Sequence, residues 1–284
     1  MKYLNFMQVD VFPEAPFKGN PVAVIFDADE LTVEQMKDIA SWTNLSETTF
    51  VCKPENNHAD YKLRIFTPNN ELPFAGHPTI GSSYAILQNG LVPKNKEYLV
   101  QECGVGLVKI DYTENKTYFS LPEAKISDIQ TRQLDGIISA LGIEKSDVIH
   151  SKMINIGAEW LTLQLKNANI VKHIEPNFKQ MEDFIYDGTT GVTVFGEIEK
   201  GKDSKFEVRS FAPNEGVDED PVCGSGNGCV AVMNNLYNLS QDHDFSNSQG
   251  QCINRNGKVY IKQEDVLKLG GLSKIMIEGT ISIK

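Results

Sequence analysis

The alternation of apolar and polar residues predicts a chain built largely from short strands. Residues 3–12 alternate as a half-buried strand does, and after a turn at 18–21 the apolar run 22–26 predicts a buried return strand. Further strands are predicted at 48–51, 61–66 and 273–283.

Apolar spacing combined with capping residues predicts the helices. Thr32 followed three residues later by Gln35 matches a capping box, and the apolar face that follows ends before Asn44. Further helices are predicted at 80–87, 131–141, 178–185 and 227–236.

The sequence also indicates an internal duplication. At an offset of 145 residues, nine residues between positions 35 and 69 recur in the second half, against about two expected from composition. Arg64 matches Arg209 at this offset, and Glu47 aligns with Val192. The offset then grows in small steps, as loop insertions between duplicated elements would produce. A chance match at a favourable offset is the alternative explanation.

Each half has the same predicted order of strands, a loop and a helix. We therefore expect an α+β fold of two pseudo-symmetric halves, each a curved, barrel-like β-sheet around a central helix. The expected domains are residues 1–116, with a possible exchange of the C-terminal strand, and residues 117–284. The active site is expected in the cleft between them.

Composition and charge narrow the function classes. The 284 residues carry a formal charge of −11 and have no Lys/Arg-rich run, which argues against a nucleic-acid partner. We find no signal peptide and no apolar stretch of about 18 residues, so we expect a cytoplasmic protein without a membrane partner. The five scattered cysteines favour neither a disulfide framework nor a zinc site.

Two loops occupy equivalent positions in the halves, 74–79 and 220–226, and each leads into a predicted helix. A helix N-terminus offers unpaired N–H groups and a partial positive charge, which suit a carboxylate or a developing enolate. An acidic protein can therefore hold a small anionic substrate without lysine or arginine.

At these loops the sequence resembles a known family. Four segments, which occur in the family's order, are similar to the signature of the phenazine-biosynthesis isomerase (PhzF-like) family: FKGNP at 17–21, SETTF at 46–50, LPFAGHPT at 72–79 and EDPVCGSG at 219–226. The resemblance covers essentially the whole chain. It implies a diaminopimelate epimerase-like fold.

The resemblance further implies a homodimeric isomerase that transfers a proton on a small carboxylic acid without a cofactor or a metal. Glu47 takes the place of the family's general acid/base. The expected catalytic residues are Glu47, His77, Asp220 and Cys223, and the expected substrate-binding residues are Asn20, Gly76, Gly224, Ser225 and Gly226.

Cys223 departs from the family pattern. Diaminopimelate epimerase and proline racemase use one cysteine from each half, whereas the corresponding positions here hold Ala75 and Cys223, which excludes a two-thiol mechanism. At a helix N-terminus the pKa of Cys223 could be lowered, which would make the thiol a base beside Glu47. Three functions therefore stay open: an isomerase, an epimerase or racemase using Glu47 and Cys223, and an inactive relative that binds a metabolite.

Each candidate also has a purely structural interpretation. His77 could cap the following helix, and Asp220 could serve as a turn residue before proline. Cys223 could pack as a small apolar side chain, and Asn20 lies where a turn favours asparagine. The sequence does not identify the substrate, and it does not show a part in phenazine biosynthesis.

Overall fold

The computed structural model describes residues 2–113, 115–240 and 242–283. The chain forms two compact units. The first contains residues 1–120 and 270–284, and the second contains residues 121–269. The carboxyl-terminal segment therefore returns to the first unit. In the described ranges no helix is long and apolar enough to cross a membrane.

The first unit consists of short strands and two α-helices. Its strands up to the domain boundary are β1 (Lys2–Val11), β2 (Asn20–Ile25), β3 (Glu47–Cys52), β4 (Tyr61–Phe66), β5 (Glu71–Leu72), β6 (Tyr98–Cys103), β7 (Gly106–Tyr112) and β8 (Lys116–Ser120). Its helices are α1 (Val33–Thr43) and α2 (Gly76–Gln88), and a 3₁₀ turn spans Ala28–Glu30.

The second unit has a similar composition of elements. Its strands are β9 (Lys125–Ser127), β10 (Val148–Asn155), β11 (Glu159–Leu165), β12 (Gly191–Glu197), β13 (Phe206–Phe211), β14 (Asp244–Gln249), β15 (Gly257–Gln263) and the start of β16 (Leu267–Ile283). Its helices are α3 (Thr131–Leu141), α4 (Ala168–His173), α5 (Phe178–Glu182) and α6 (Gly224–Tyr237), with 3₁₀ turns at Lys145–Asp147, Pro213–Glu215 and Gln251–Ile253.

The sheet of the first unit closes on itself. Its strands follow the order β1, β2, β3, β4, β6, β7, β8 and β16, and β16 pairs antiparallel with β1 from Ser273 to Ile283. Helix α2 packs against β1, β2, β3 and β8, and most of its residues after Gly76 are buried. The result is a barrel with a helix inside it, which removes exposed strand edges.

The second unit repeats this pattern of strand directions. Its order is β16, β15, β14, β13, β12, β11, β10 and β9. Strands β2 and β3 are parallel, as are β4 and β6, and the second unit has parallel pairs at β11 with β12 and β13 with β14. Helix α6 packs against β10, β11, β12 and β15, and most of it is buried.

Local sequence explains where the helices begin and end. Thr32 and Gln35 form the predicted capping box, and Asn44 ends α1 in the left-handed conformation at φ 53°. Helix α2 begins about one turn before the predicted residue 80, because Pro78 in the first turn costs no helical hydrogen bond. Both buried helices therefore begin inside the loops that the sequence analysis selected.

Candidate active site

The first unit places Glu47 beside His77. Glu47 is the first residue of β3, and His77 is the second residue of α2. Glu47 Oε2 lies 3.1 Å from His77 Nδ1, and the two side chains are 15% and 5% exposed respectively. Among the described residues, this oxygen finds no donor with hydrogen-bond geometry, although the two atoms lie within ion-pair distance. A buried carboxylate oxygen without a donor is costly, and a catalytic role is one explanation for such a group.

Asp10 shapes the loop that precedes Asn20. The Asp10 carboxylate is buried and accepts the N–H of Gly19 at 2.9 Å and the N–H of Lys18 at 3.1 Å. A Cβ atom on Gly19 would lie 2.1 Å from the carbonyl oxygen of Val11, so only glycine fits this approach. The motif at 17–21 is thus fixed to β1.

This loop delivers Asn20 to the same strand face as Glu47. Asn20 is fully buried at the start of β2. It lies two residues before Val22, which is the register partner of Glu47 in the parallel pair of β2 and β3. Because strand residues two apart point to one face, Asn20 and Glu47 share a face of the barrel wall.

In the second unit, Asp220 forms the turn that leads into α6. Its Oδ1 accepts the N–H of Val222 at 3.0 Å, and its own N–H donates to Ser210 O at 2.9 Å. The Gln249 side-chain amide donates to Asp220 O at 2.9 Å. These bonds support the turn role of Asp220, and they leave its catalytic role as a prediction.

Cys223 caps α6 from a buried position. Its Sγ accepts the N–H of Gly226 at 3.2 Å, and its backbone N–H donates to Gln249 Oε1 at 3.1 Å. Burial raises the pKa of the Cys223 thiol well above its usual value, and the nearby Asp220 carboxylate raises it further, whereas the Gly226 N–H lowers it. The expectation that the helix N-terminus lowers this pKa is therefore wrong, because desolvation outweighs the helix N–H groups.

Ser225 and its neighbours form the first turn of α6. Ser225 Oγ accepts the indole N–H of Trp160 at 3.0 Å and lies 3.6 Å from Cys223 Sγ. A Cβ atom on Gly226 would lie 2.4 Å from Ser210 Oγ, so the helix start packs tightly on the sheet. The N–H groups of Gly224 and Ser225 have no helical acceptor four residues earlier, and they can bind an anion.

Strand pairing aligns the halves one residue differently from the sequence offset. Arg64 pairs with Phe50 in the first unit, whereas Arg209 pairs with Val194 in the second. Glu47 lies three residues before Phe50, and Gly191 lies three residues before Val194. Gly191, and not Val192, is therefore the structural equivalent of Glu47. The inference that the second half lacks a carboxylate there is unaffected.

The structure brings the expected residues into two groups. Glu47, His77, Asn20 and Gly76 lie in the first unit, and Asp220, Cys223, Gly224, Ser225 and Gly226 lie in the second. Within the described part of the chain, no three metal-binding side chains cluster in a way that could hold an ion. That both groups serve one substrate stays a prediction.

Sequence reasoning missed three supporting residues. Asp10 carries no motif signal, because it lies nine residues before Gly19 and only the fold brings its carboxylate to that loop. Trp160 is one of two tryptophans, which is the kind of residue that seeks a partner when buried. Glu219 lies in the motif at 219–226, but its pairing with Arg209 at 2.8 Å was not predicted.

Comparison with known proteins identifies relatives over almost the whole chain. The chain is 44% identical over 292 aligned residues to the protein named Antisense-enhancing sequence 1 of Schizosaccharomyces pombe, with 97% of each chain covered. It is 32% identical over 229 residues to the trans-2,3-dihydro-3-hydroxyanthranilate isomerase of Pseudomonas fluorescens, which covers 80% of this chain and 78% of that enzyme.

Solved structures share the fold. A phenazine biosynthesis protein of the PhzF family from Bacillus anthracis has a TM-score of 0.85 at 24% identity, with 100% of both chains covered. A hydroxyproline epimerase from Agrobacterium vitis has a TM-score of 0.67 at 11% identity and covers 98% of this chain and 92% of its own. These likenesses confirm the α+β, diaminopimelate epimerase-like fold.

A family profile gives the remaining evidence. The profile described as phenazine biosynthesis-like protein (PhzC-PhzF) matches residues 9–281, and the relatives above include a named isomerase. The chain therefore belongs to the phenazine biosynthesis-like (PhzC-PhzF) protein family and is an isomerase.

Proposed function

We propose that this isomerase moves a proton between two carbons of a small carboxylate substrate, with Glu47 as the general acid/base. The observation that carries the proposal is the buried contact of 3.1 Å between Glu47 Oε2 and His77 Nδ1. In the free protein the two groups are close but do not form a hydrogen bond. Contacts between catalytic groups commonly tighten when substrate binds, and the tightened pair of imidazole and carboxylate would accept a proton and later release it.

The proposed reaction conserves every atom of the substrate. The Glu47 carboxylate takes a proton from one carbon, and the electrons of that C–H bond move into the adjacent unsaturated system. The protonated pair then returns a proton to a second carbon, and a double bond changes position. His77 holds the proton in the interval through its Nδ1 atom.

The nature of the substrate is supported by a relative and by the second unit. The relative from Pseudomonas fluorescens is named for trans-2,3-dihydro-3-hydroxyanthranilate, a small cyclic carboxylate. We propose a substrate of this class. The N–H groups of Gly224 and Ser225 at the start of α6 would hold its carboxylate.

The burial of Cys223 weighs against a two-base epimerase. A base must be available in its deprotonated form, and burial keeps the Cys223 thiol protonated by raising its pKa. In this proposal Cys223 supports the helix start and takes no proton. No cofactor or metal is needed for the step, and that independence is part of the proposal.

Exchange in D₂O tests the proposal. With trans-2,3-dihydro-3-hydroxyanthranilate as substrate, wild-type protein should isomerise the ring and incorporate deuterium, as followed by absorbance and NMR. Glu47→Gln should lower turnover by about 10²–10⁴-fold with little loss of binding, because it keeps the shape and removes the base. Glu34→Gln, which changes an exposed carboxylate on α1, is the matched control.

Each outcome bears on one alternative. Wild-type turnover in Glu47→Gln would contradict the role of Glu47. Deuterium at a single stereocentre without a change of absorbance, together with an equal loss in Cys223→Ser, would favour the epimerase. Binding without turnover or exchange would indicate an inactive relative.

We also propose a cytoplasmic homodimer. The family resemblance supports the dimer, and light scattering at micromolar concentration tests it. A monomeric mass would remove this proposal and leave the enzyme assignment unchanged.

A further inference from the structure

We infer that Trp160 is a positioning residue that makes Ser225 a hydrogen-bond donor to an oxygen atom of the substrate. This inference rests on the proposed function, since it concerns how the second unit holds the carboxylate. It assigns a role to a residue that carries no motif.

The first step is the chemistry of the Trp160 contact. Trp160 lies on β11 with 2% of its surface exposed, and its Nε1–H donates to Ser225 Oγ at 3.0 Å. An indole N–H can only donate, so Ser225 Oγ must be the acceptor in this bond. One lone pair of the hydroxyl oxygen is therefore always used by Trp160.

The second step concerns the other lone pair. Cys223 Sγ lies 3.6 Å from Ser225 Oγ, and either atom can be the donor in this contact. When the protonated thiol donates its S–H weakly to the oxygen, both lone pairs are engaged and the remaining capacity of Ser225 is its own O–H. The site then selects a ligand group that accepts, such as a carboxylate or carbonyl oxygen, and disfavours an ammonium group.

The third step compares one pair of neighbouring strand residues in the two halves, in which the larger side chain lies on opposite strands. In the first unit Val22 pairs with Glu47, and in the second unit Trp160 pairs with Gly191 at the same rung. A Cβ atom on Gly191 would lie 2.1 Å from the carbonyl oxygen of Phe211 and 3.0 Å from Trp160 Cζ3, so the backbone of β13 and the indole both crowd a side chain at 191.

This difference gives the two helix starts different partners. His77 and Ser225 are each the second residue of the buried helix in their unit. Glu47 contacts His77 in the first unit, and Trp160 contacts Ser225 in the second. The same position thus holds a proton-sharing pair in one half and a fixed hydroxyl donor in the other.

A double-mutant cycle tests the inference. The variants are Trp160→Phe, Ser225→Ala and the combination of both, and Trp160→Phe removes the indole N–H. All are made in a Trp42→Phe background, in which position 160 holds the one remaining tryptophan. Trp42 is 81% exposed on α1, so Trp42→Phe alone is the matched control. Calorimetry with anthranilate (2-aminobenzoate) measures binding, and the isomerase assay gives KM and kcat separately.

We expect Trp160→Phe to weaken anthranilate binding and raise KM by about 3- to 10-fold, the range for one net hydrogen bond. The turnover number should change by less than about twofold. Because Trp160 acts through Ser225, the combined variant should bind no more weakly than Ser225→Ala alone. Additive losses, unchanged binding in Trp160→Phe, or no binding of anthranilate by the wild type would each overturn the inference.

An isostere of tryptophan provides the control for a folding defect. If Trp160→Phe unfolds, benzothienylalanine at position 160 keeps the bicyclic shape and lacks the N–H, and it should show the same loss of anthranilate binding. Wild-type affinity in this isostere would overturn the inference. Glu47→Gln should bind anthranilate normally, so failure of the proton-transfer proposal would appear in turnover and failure of the Trp160 role in binding.

Discussion

Replacing Glu219 with glutamine removes the charge that neutralises the buried Arg209. Arg209 donates to the two Glu219 carboxylate oxygens through Nε at 3.0 Å and Nη2 at 2.8 Å. Its Nη1 donates to the carbonyl oxygens of Val171 at 3.2 Å and Ile174 at 2.7 Å. Only 5% and 6% of the arginine and glutamate side chains are exposed. Glu219→Gln would leave a buried cation facing an amide that accepts at one oxygen only.

The expected cost follows from the burial. Breaking a buried ion pair by removing one partner costs about 3–5 kcal/mol, and because one acceptor and two carbonyls remain, we expect about 3 kcal/mol in the free energy of unfolding. The first unit supplies a matched control, in which Arg64 donates to Glu71 through the same two nitrogens at 2.7 Å. Those side chains are 23% and 38% exposed, so Glu71→Gln should cost less than about 1 kcal/mol.

Urea unfolding of both variants measures the difference. Because the two units can unfold separately, hydrogen exchange in β13 and α4 should accompany the midpoints and show the loss in the second unit. Equal losses for Glu219→Gln and Glu71→Gln would refute the reasoning, since the two pairs share geometry and differ in burial.

Two further predictions concern stability. The free energy of unfolding should fall as pH rises above about 8.5, by about 1.4 kcal/mol per pH unit for each buried thiol, because unfolded thiols ionise while burial raises the pKa of Cys223 and Cys229 in the folded protein. Cys229→Ala should flatten the decline in urea midpoints between pH 7 and 10, and a flat wild-type profile would contradict this. Gly19→Ala should cost more than about 2 kcal/mol in thermal unfolding because its Cβ would lie 2.1 Å from a backbone oxygen. Gly279→Ala, with no neighbour within 4 Å, should be neutral or stabilise by up to about 1 kcal/mol, and a similar loss in both variants would count against the steric argument.

Local sequence was sufficient for the elements whose signals are local. Helix α3 has its predicted bounds, Thr131–Leu141, and β4 has its predicted bounds, Tyr61–Phe66. Helix α3 has a clear end in the sequence, since Gly142 follows its last residue and adopts the left-handed conformation at φ 67°. Helix α4 was not predicted, because six residues give too short a window for a helical period to emerge.

Features that depend on strand register or burial could not be predicted from the sequence. An offset of 145 residues aligned Glu47 with Val192, and only the strand ladder shows that Gly191 is its counterpart. The contact of Trp160 with Ser225 joins residues 65 positions apart, which no motif encodes. The direction of the Cys223 pKa shift depends on desolvation, which a position at a helix start does not reveal.

The proposed single proton transfer would account for the asymmetry between the halves. If the Glu47 and His77 pair both removes and returns the proton, a second carboxylate in the mirrored frame would add like charge near the substrate's own carboxylate and weaken binding. The second unit avoids this charge at the equivalent rung with Gly191, where the carbonyl oxygen of Phe211 and the indole of Trp160 crowd any side chain. In the proposed mechanism the two halves therefore differ in role: the residue at this rung, Glu47 or Gly191, determines which half carries the base, and the helix start of the second half would bind the anion.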